Sequence, residues 1–447
     1  MFSGHPKGLW GLALANTGER FGYYTMLAVF LFFLQDNFGF SMGTSSTIQA
    51  IFLGVVYFVP LFGGMLADKF GFGKMVTTGI FVMFLGYLLL ALPLGAGSVA
   101  LTVMVLALLF VCVGTGLFKG NLQVLVGNLY DDPKYSAKRD EGFSIFYMAI
   151  NLGSMFAAAV ALSIMAWAQD SLGISKGDSY HYAFAVACVS LILSIAIYYA
   201  FRKTFAHADR AKIATPGAEV VEEELTPAQT KERIICLCLV FAVVIFFWMA
   251  FHQNGLTLTY FADEFTAKTS EGLQSMAFNV WNLVAVIVAV YAGFSIFQSE
   301  SAKGKIVSTA VVALVIAYLA YQYANISGTV AVSAPIFQQF NPFYVVALTP
   351  VSMAIFGALA KRGKEPSAPR KIAYGMLVAA AGFAVMAFGS MGLLTPDAQA
   401  AAGDAGTFVS ANWLISTYLV LTFAELLLSP MGISFVSKVA PPKYKGM

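Results

Sequence analysis

Long apolar runs separated by short polar breaks set the pattern of this chain. Runs of about 20 mostly apolar residues are the length a helix needs to cross a bilayer. They fall near 9–34, 47–67, 75–93, 99–122, 143–168, 182–201, 234–261, 274–297, 305–324, 341–360, 372–393 and 411–435. The pattern therefore predicts twelve membrane-spanning helices and an all-α polytopic membrane protein. A single polar stretch is long, 203–232, with three successive glutamates at Glu222, Glu223 and Glu224. It reads as a solvated linker and divides the chain into an N-terminal six-helix bundle over 1–202 and a second bundle over 233–447. Two sixes suggest paired helical bundles around a central cavity, the architecture of transporters built from repeats.

Charge supports these spans and orients them. If the N-terminus lies in the cytoplasm, basic residues should crowd alternate loops. Of 26 Lys and Arg, 22 lie in loops predicted inside, whereas only Lys176 and Lys268 lie in loops predicted outside. The remaining two, Arg20 and Lys119, fall within spans. The chain is 59% hydrophobic and 11% charged, against about 25% charged in soluble domains. Its net charge of +3 adds little. Cys112, Cys188, Cys236 and Cys238 have neither metal-ligand nor secreted-disulfide spacing and read as small apolar packers. Glu19 and Arg20 interrupt what would be the apolar core of a signal peptide, so no cleavable leader is expected.

Charges at membrane depth cost roughly 2.5–3.5 kcal/mol or more and persist where they face a polar pathway. Glu19, Arg20, Lys119, His252 and Glu425 thus indicate that the protein moves something polar. On the first helix Asn16, Arg20 and Tyr23/Tyr24 form one stripe, with Glu19 beside it. Cation, carboxylate and phenols so arranged can bind a zwitterion and relay a proton, or form an internal Glu–Arg structural network. Lys119 follows Gly114 and Gly116, whose small size allows close helix approach, and should face the cavity. Asn151 offers a donor and an acceptor to substrate or to another helix. Trp413 and Tyr57 are candidate apolar walls, with plain packing as the alternative.

The segment from Gly64 to Lys74, with Asp68, Lys69 and Gly71, resembles the Gly-x-x-x-Asp-Arg/Lys-x-Gly-x-x-Lys loop of the major facilitator superfamily. There Asp68 could latch a neighbouring helix end and basic groups in one conformational state. Six further blocks in order resemble the proton-coupled oligopeptide transporter (POT, or PTR2) family. They are Glu19 to Tyr24, Gly114 to Asn121, Phe146 to Ser154, Phe247 to Gln253, Gln338 to Pro342 with Thr349-Pro350, and Ala424 to Gly432 with Lys438 to Pro441. This resemblance implies proton-driven symport of di- and tripeptides by alternating access. By position, it implies a substrate site of Arg20, Tyr24, Tyr57, Lys119, Asn151, Asn341 and Glu425; Tyr23, Trp413 and Ser429 are further candidates for the same site. Arg20 and Lys119 would hold the peptide carboxylate, and Glu425 its α-ammonium. Beyond what the resemblance implies, proton coupling is expected to fall to Glu19, Arg20, Lys119, His252 and Glu425.

Three positions depart from the family pattern. Asn16 stands where the family usually has an acid, Leu27 where it often has a second arginine, and His252 where the seventh helix usually has an acid. Histidine's unperturbed pKa of about 6.5 suits a proton switch, and the expectation is that His252 and Glu19 share the coupling; a hydrogen-bonded structural histidine is the alternative. The spans at about 274–324 come after the seventh family helix as an inserted hairpin. The chain reaches Met447 where the family begins its eleventh helix, so the last two core helices are expected beyond it. Other readings are another small charged substrate on the same fold (an amino-acid conjugate, organic acid or nitrate) or a weakly coupled peptide facilitator. An enzyme is not expected, because no paired intramembrane aspartates, Ser–His arrangement or metal motif is present. No metal, organic cofactor or nucleic acid is expected. The expected partners are peptide, protons and lipid, for a monomer in the plasma membrane, read as a bacterial inner membrane.

Overall fold

The computed structural model describes residues 4–209, 225–326, 328–439 and 441. The chain divides into two compact units, Met1–Glu224 and Leu225–Pro441. The first contains α1 (Lys7–Phe38), α2 (Met42–Phe58), α3 (Pro60–Phe70), α4 (Phe72–Leu90), α5 (Ser98–Leu129), α6 (Arg139–Leu172) and α7 (Lys176–Phe205). Helix α1 packs between α6 and α7 because its α7 face is nearly bare. A Cβ on Gly11 would come within 2.3 Å of the Phe201 side chain, and one on Gly22 within 2.4 Å of Ser190 Oγ. Backbones this close allow Ser194 Oγ to donate to the Ala15 carbonyl at 2.6 Å. On the α6 side, Thr17 Oγ1 donates to the Ala149 carbonyl at 3.0 Å. Small residues and hydroxyl-to-carbonyl bonds are the means by which helices associate where hydrophobicity gives no preference.

The second unit contains α8 (Pro227–Phe251), α9 (Thr257–Glu264), α10 (Gly272–Ser275), α11 (Val280–Gln298), α12 (Ala302–Ala324), α13 (Phe340–Lys361), α14 (Ala368–Gly389), α15 (Pro396–Ala402) and α16 (Asn412–Val439). The segments β1 (Thr269–Ser270) and β2 (Val330–Ala331) form one antiparallel ladder, Thr269 opposite Ala331 and Ser270 opposite Val330. A reciprocal Thr226–Gln229 capping box starts α8. Helix α16 packs on α13 and α14; Gly375 leaves room for the Ala424 carbonyl, which a Cβ would approach to 3.0 Å. The hairpin α11–α12 lies against α13 through α11. None of the described α12 residues is buried, as suits a helix bathed in lipid.

Each predicted span corresponds to a helix. Among the described residues, eleven helical segments are long and apolar enough to cross a membrane; the protein is a membrane protein. The remaining span is α1, whose 32 residues extend about 48 Å, but whose hydropathy is lowered by Asn16, Glu19, Arg20, Gln35 and Asp36. The run 47–67 is two helices, because Pro60 cannot continue α2 and instead opens α3. The run 234–261 is also broken, by a 3₁₀ turn at His252–Gly255. The hairpin begins at Val280 rather than near 274, because Asn279 Oδ1 caps α11 through the Trp281 N–H at 2.9 Å. Helical structure continues past residue 203 to Ala208, and α8 begins at Pro227, so both ends of the predicted linker, 203 and 232, fall within helical segments. Glu222, Glu223 and Glu224 lie outside the described residues.

Candidate functional site

In the first unit the site is built around one buried ion pair. Arg20 Nε and Nη2 donate to Glu19 Oε2 and Oε1 at 2.5 and 2.6 Å. The two side chains are 4% and 0% exposed, so the pair is desolvated and its electrostatics are strong. The guanidinium carbon lies 4.8 Å from the centre of the Tyr23 ring. Tyr23 meets Tyr24 edge to face and stacks on Phe52 of α2. Phenols and guanidinium therefore form one wall, as the stripe predicted. Glu19 does not stand beside that stripe as a separate group: it is held by it.

Helix α5 brings Lys119 to this wall. Its ammonium lies 4.6 Å from the centre of the exposed Tyr57 ring on α2. No carboxylate pairs with it among the described residues. The unit thus has one cation more than acids here, and a cation–π contact supports it. Tyr57 is therefore a partner of Lys119 rather than a plain packing residue. The Gly114–Asn121 block acts structurally as well: Asn121 Nδ2 donates to the Gly63 carbonyl of α3 at 3.1 Å and to Leu117 at 2.8 Å. Asn151 Nδ2 donates to the Tyr147 carbonyl of its own helix at 3.0 Å, which leaves its Oδ1 as the group to offer elsewhere.

In the second unit the acid is Glu425, buried on α16. Asn341 Nδ2 on α13 donates to Glu425 Oε2 at 2.8 Å and lies 3.0 Å from Thr422 Oγ1. Tyr418, Thr422, Glu425 and Ser429 follow one another at helical spacing and share a face of α16. Ser429 Oγ is buried and bonds nothing among the described residues. Thr422 was not among the predicted site residues; its position three residues before Glu425 was the available signal. Tyr418 Oη donates to the Asn254 carbonyl at 3.1 Å, tying the break in the seventh span to the Glu425 helix. His252 begins that break, half-buried, with its ring tilted 5.7 Å from Trp248. Trp413 does not join this group. It lies in the first turn of α16, twelve residues and about 18 Å along the axis from Glu425, with its ring against Gly389.

Asp68 does not meet a helix end among the described residues. Gly71 has φ +98°, a conformation glycine alone adopts readily, and it turns α3 into α4. Lys69 lies over Phe70 at 5.4 Å. Asp68 and Lys74 are exposed, with no hydrogen bond or ion pair among the described residues, and Gly64 is half-buried. The carboxylate at the helix end belongs instead to Asp209: its Oδ1 accepts from Gly73 N at 2.7 Å in the first turn of α4. A carboxylate suits the positive end of a helix. Residues 73 and 209 are 136 apart, and no local motif announced the contact.

Cys112 and Cys188 are buried and unbridged, whereas Cys236 and Cys238 are exposed. Among the described residues no group of three or more His, Cys, Asp or Glu could hold a metal ion.

The chain matches the family model described as the POT family over residues 74–221 and 306–447. It is 28% identical to the peptide transporter YePEPT of Yersinia enterocolitica, over 100% of this chain and 84% of that protein. It is 26% identical to a di-/tripeptide transporter of Lactococcus lactis, over 99% of this chain and 85% of that protein. Among solved structures, it is similar to a peptide transporter POT in complex with sulfate. That match has 27% identity and a TM-score of 0.62, and covers 100% of this chain and 85% of the other. The fold is that of the major facilitator superfamily.

Proposed function

The chain belongs to the POT family, and on that premise we propose that it is a secondary active transporter that carries di- and tripeptides together with protons by alternating access. Its relatives' names supply the substrate class. The observation in this chain that carries the reading is the separation of charge. One unit presents Arg20 and Lys119 with a single acid between them, and the other presents Glu425 with Asn341. A peptide has a carboxylate at one end and an ammonium at the other, so it offers each unit the charge it lacks.

In this reading Arg20 and Lys119 take the substrate carboxylate, and Glu425 takes the α-ammonium with Asn341 and Ser429 beside it. Tyr23, Tyr24 and Tyr57 line the cationic end, and Asn151 contributes its carbonyl oxygen. Protons travel with Glu19 and His252, while Glu425 and Lys119 respond to the bound peptide. Proton coupling needs no organic cofactor or metal. The protein works as a monomer in a bacterial inner membrane, N-terminus in the cytoplasm, as the distribution of lysine and arginine supports. Its two bundles are joined by a cytoplasmic linker.

Competition tests the assignment of the two ends. Uptake of labelled dialanine into proteoliposomes of the full-length protein should be blocked by unlabelled dialanine. It should be blocked at least tenfold less well by N-acetyl-dialanine or dialanine amide, each of which lacks one charge. Equal competition by the blocked peptides would refute recognition of both ends.

A further inference from the structure

The corner between α13 and α14 stands out in charge. Residues 361–371 hold Lys361, Arg362, Lys364, Arg370 and Lys371 against a single acid, Glu365, a net charge of +4. The other loops predicted on the same side of the membrane, up to residue 305, carry net charges between −1 and +1. A general preference for basic residues on one side of a membrane therefore does not account for this corner, because in those other loops acids balance the bases.

The fold fixes the corner and occupies its acid. Helix α13 ends in a turn in which the Lys364 N–H donates to the Leu359 carbonyl at 2.9 Å, and Gly363 has φ +65°. Lys371 on α14 is buried. Its ammonium lies 4.3 Å from the centre of the Phe356 ring on α13 and donates to Glu365 Oε1 at 2.5 Å. A buried charge requires such a partner, and the pairing leaves Glu365 no charge to offer the other bases. Lys364 and Arg370 are the chain neighbours of the bonded pair, so both stand at this corner. Lys361, Arg362, Lys364 and Arg370 are exposed, and their side chains make no hydrogen bond or ion pair among the described residues.

The outward face of α14 continues from these cations. Arg370, Tyr374, Leu377 and Ala381 follow one another at helical spacing, and all four are exposed. Along this face the chemistry runs from guanidinium through phenol to hydrocarbon. A phospholipid presents the matching order from headgroup to acyl chain, with tyrosine favoured at the interface between them. Guanidinium groups grip phosphate oxygens in pairs, and lysines add point charge. Clusters of about four or more basic residues at the end of a membrane helix attract anionic lipids.

We propose that the α13–α14 corner is a binding site for an anionic phospholipid. Arg362 and Arg370 hold its phosphodiester headgroup, with Lys361 and Lys364 beside them, and an acyl chain lies along Tyr374 and Leu377. Lys371 is a positioning residue: with Phe356 and Glu365 it holds the ends of the two helices together beneath the headgroup. The site does not depend on which substrate the protein carries.

The test is equilibrium binding of a fluorescent phosphatidylglycerol to the purified full-length protein in neutral detergent micelles. Binding should saturate, and unlabelled phosphatidylglycerol should displace the probe. Phosphatidylcholine, with the same chains and no net charge, should not. Arg362→Gln combined with Arg370→Gln should weaken binding at least tenfold, since each basic group beside an anionic lipid contributes about fivefold. Lys361→Gln combined with Lys364→Gln should weaken it similarly through different residues. Lys303→Gln combined with Lys305→Gln, at the tip of the α11–α12 hairpin, should change it less than twofold. Unchanged affinity in both corner variants overturns the proposal. Binding that does not saturate, or an equal loss in the hairpin variant, shows diffuse attraction between charges and overturns it too. Displacement by glycerol phosphate at the concentration at which phosphatidylglycerol displaces the probe assigns the cations to a free phosphate and overturns the lipid.

Discussion

Arg20 grips the carboxylate of Glu19, its immediate neighbour, with bonds of 2.5 and 2.6 Å to the two oxygens. Successive helical residues point about 100° apart, so this pairing works only because the arginine is long enough to fold back. The pair is neutral as a whole and hidden from solvent, and it leaves Lys119, the other cation at this site, without a carboxylate partner among the described residues.

Breaking such a pair from one side leaves a lone buried charge, which typically costs about 3–5 kcal/mol. Arg20→Gln should therefore destabilise the purified protein more than Arg20→Gln combined with Glu19→Gln. Thermal unfolding of the three variants in detergent measures this. A double variant whose loss equals the sum of the single losses would show that the two side chains are not coupled.

The Asp209 contact can be tested in the same way. A Cβ at residue 73 would lie 2.2 Å from Asp209 Oδ2, so Gly73→Ala should expel the carboxylate from the end of α4. Asp209→Ala should cost about 1 kcal/mol, the value of a helix cap. Gly73→Ala added to Asp209→Ala should cost less than Gly73→Ala alone in the wild type. Equal costs in both backgrounds would contradict the contact. Asp68→Asn, by contrast, should leave unfolding temperature unchanged.

The Lys119 ammonium lies over the ring face of Tyr57, 4.6 Å from its centre. Tyr57→Phe keeps the face and should change the KM for dialanine less than twofold. Tyr57→Leu removes a contact of about 1 kcal/mol and should raise KM about fivefold. Initial uptake rates decide this, and a larger effect from Tyr57→Phe would mean that the hydroxyl is the working group.

Much of this was readable in the chain. Runs of apolar residues located every span, because a membrane helix must bury its whole length in hydrocarbon. The charges that violate those runs, Glu19, Arg20, Lys119 and Glu425, proved to be those with buried partners or aromatic support. Pro60 announced its own break. The break at His252 had no such signal: Gly255 closes the turn, but the bend is fixed by Tyr418, 164 residues away from Asn254. Asp209 was hidden for the same reason, since its partner is a backbone N–H far along the chain. Trp413 matched by type, yet its register on α16 places it against Gly389.

His252 opens the turn that Tyr418 ties to the Glu425 helix. His252→Gln should abolish the pH dependence of dialanine uptake while dialanine exchange without a gradient continues. The measurement is initial rate from pH 5 to 8, where histidine titrates. Unchanged pH dependence would remove His252 from the coupling scheme.

The central claim is that protons drive peptides through this chain despite Asn16, Leu27 and His252. It is tested most directly by labelled dialanine uptake into proteoliposomes of the full-length protein under an inward proton gradient, with and without an uncoupler. Accumulation above the external concentration that collapses on adding uncoupler is the predicted result. Equilibration to the external concentration, unaffected by uncoupler, would contradict it.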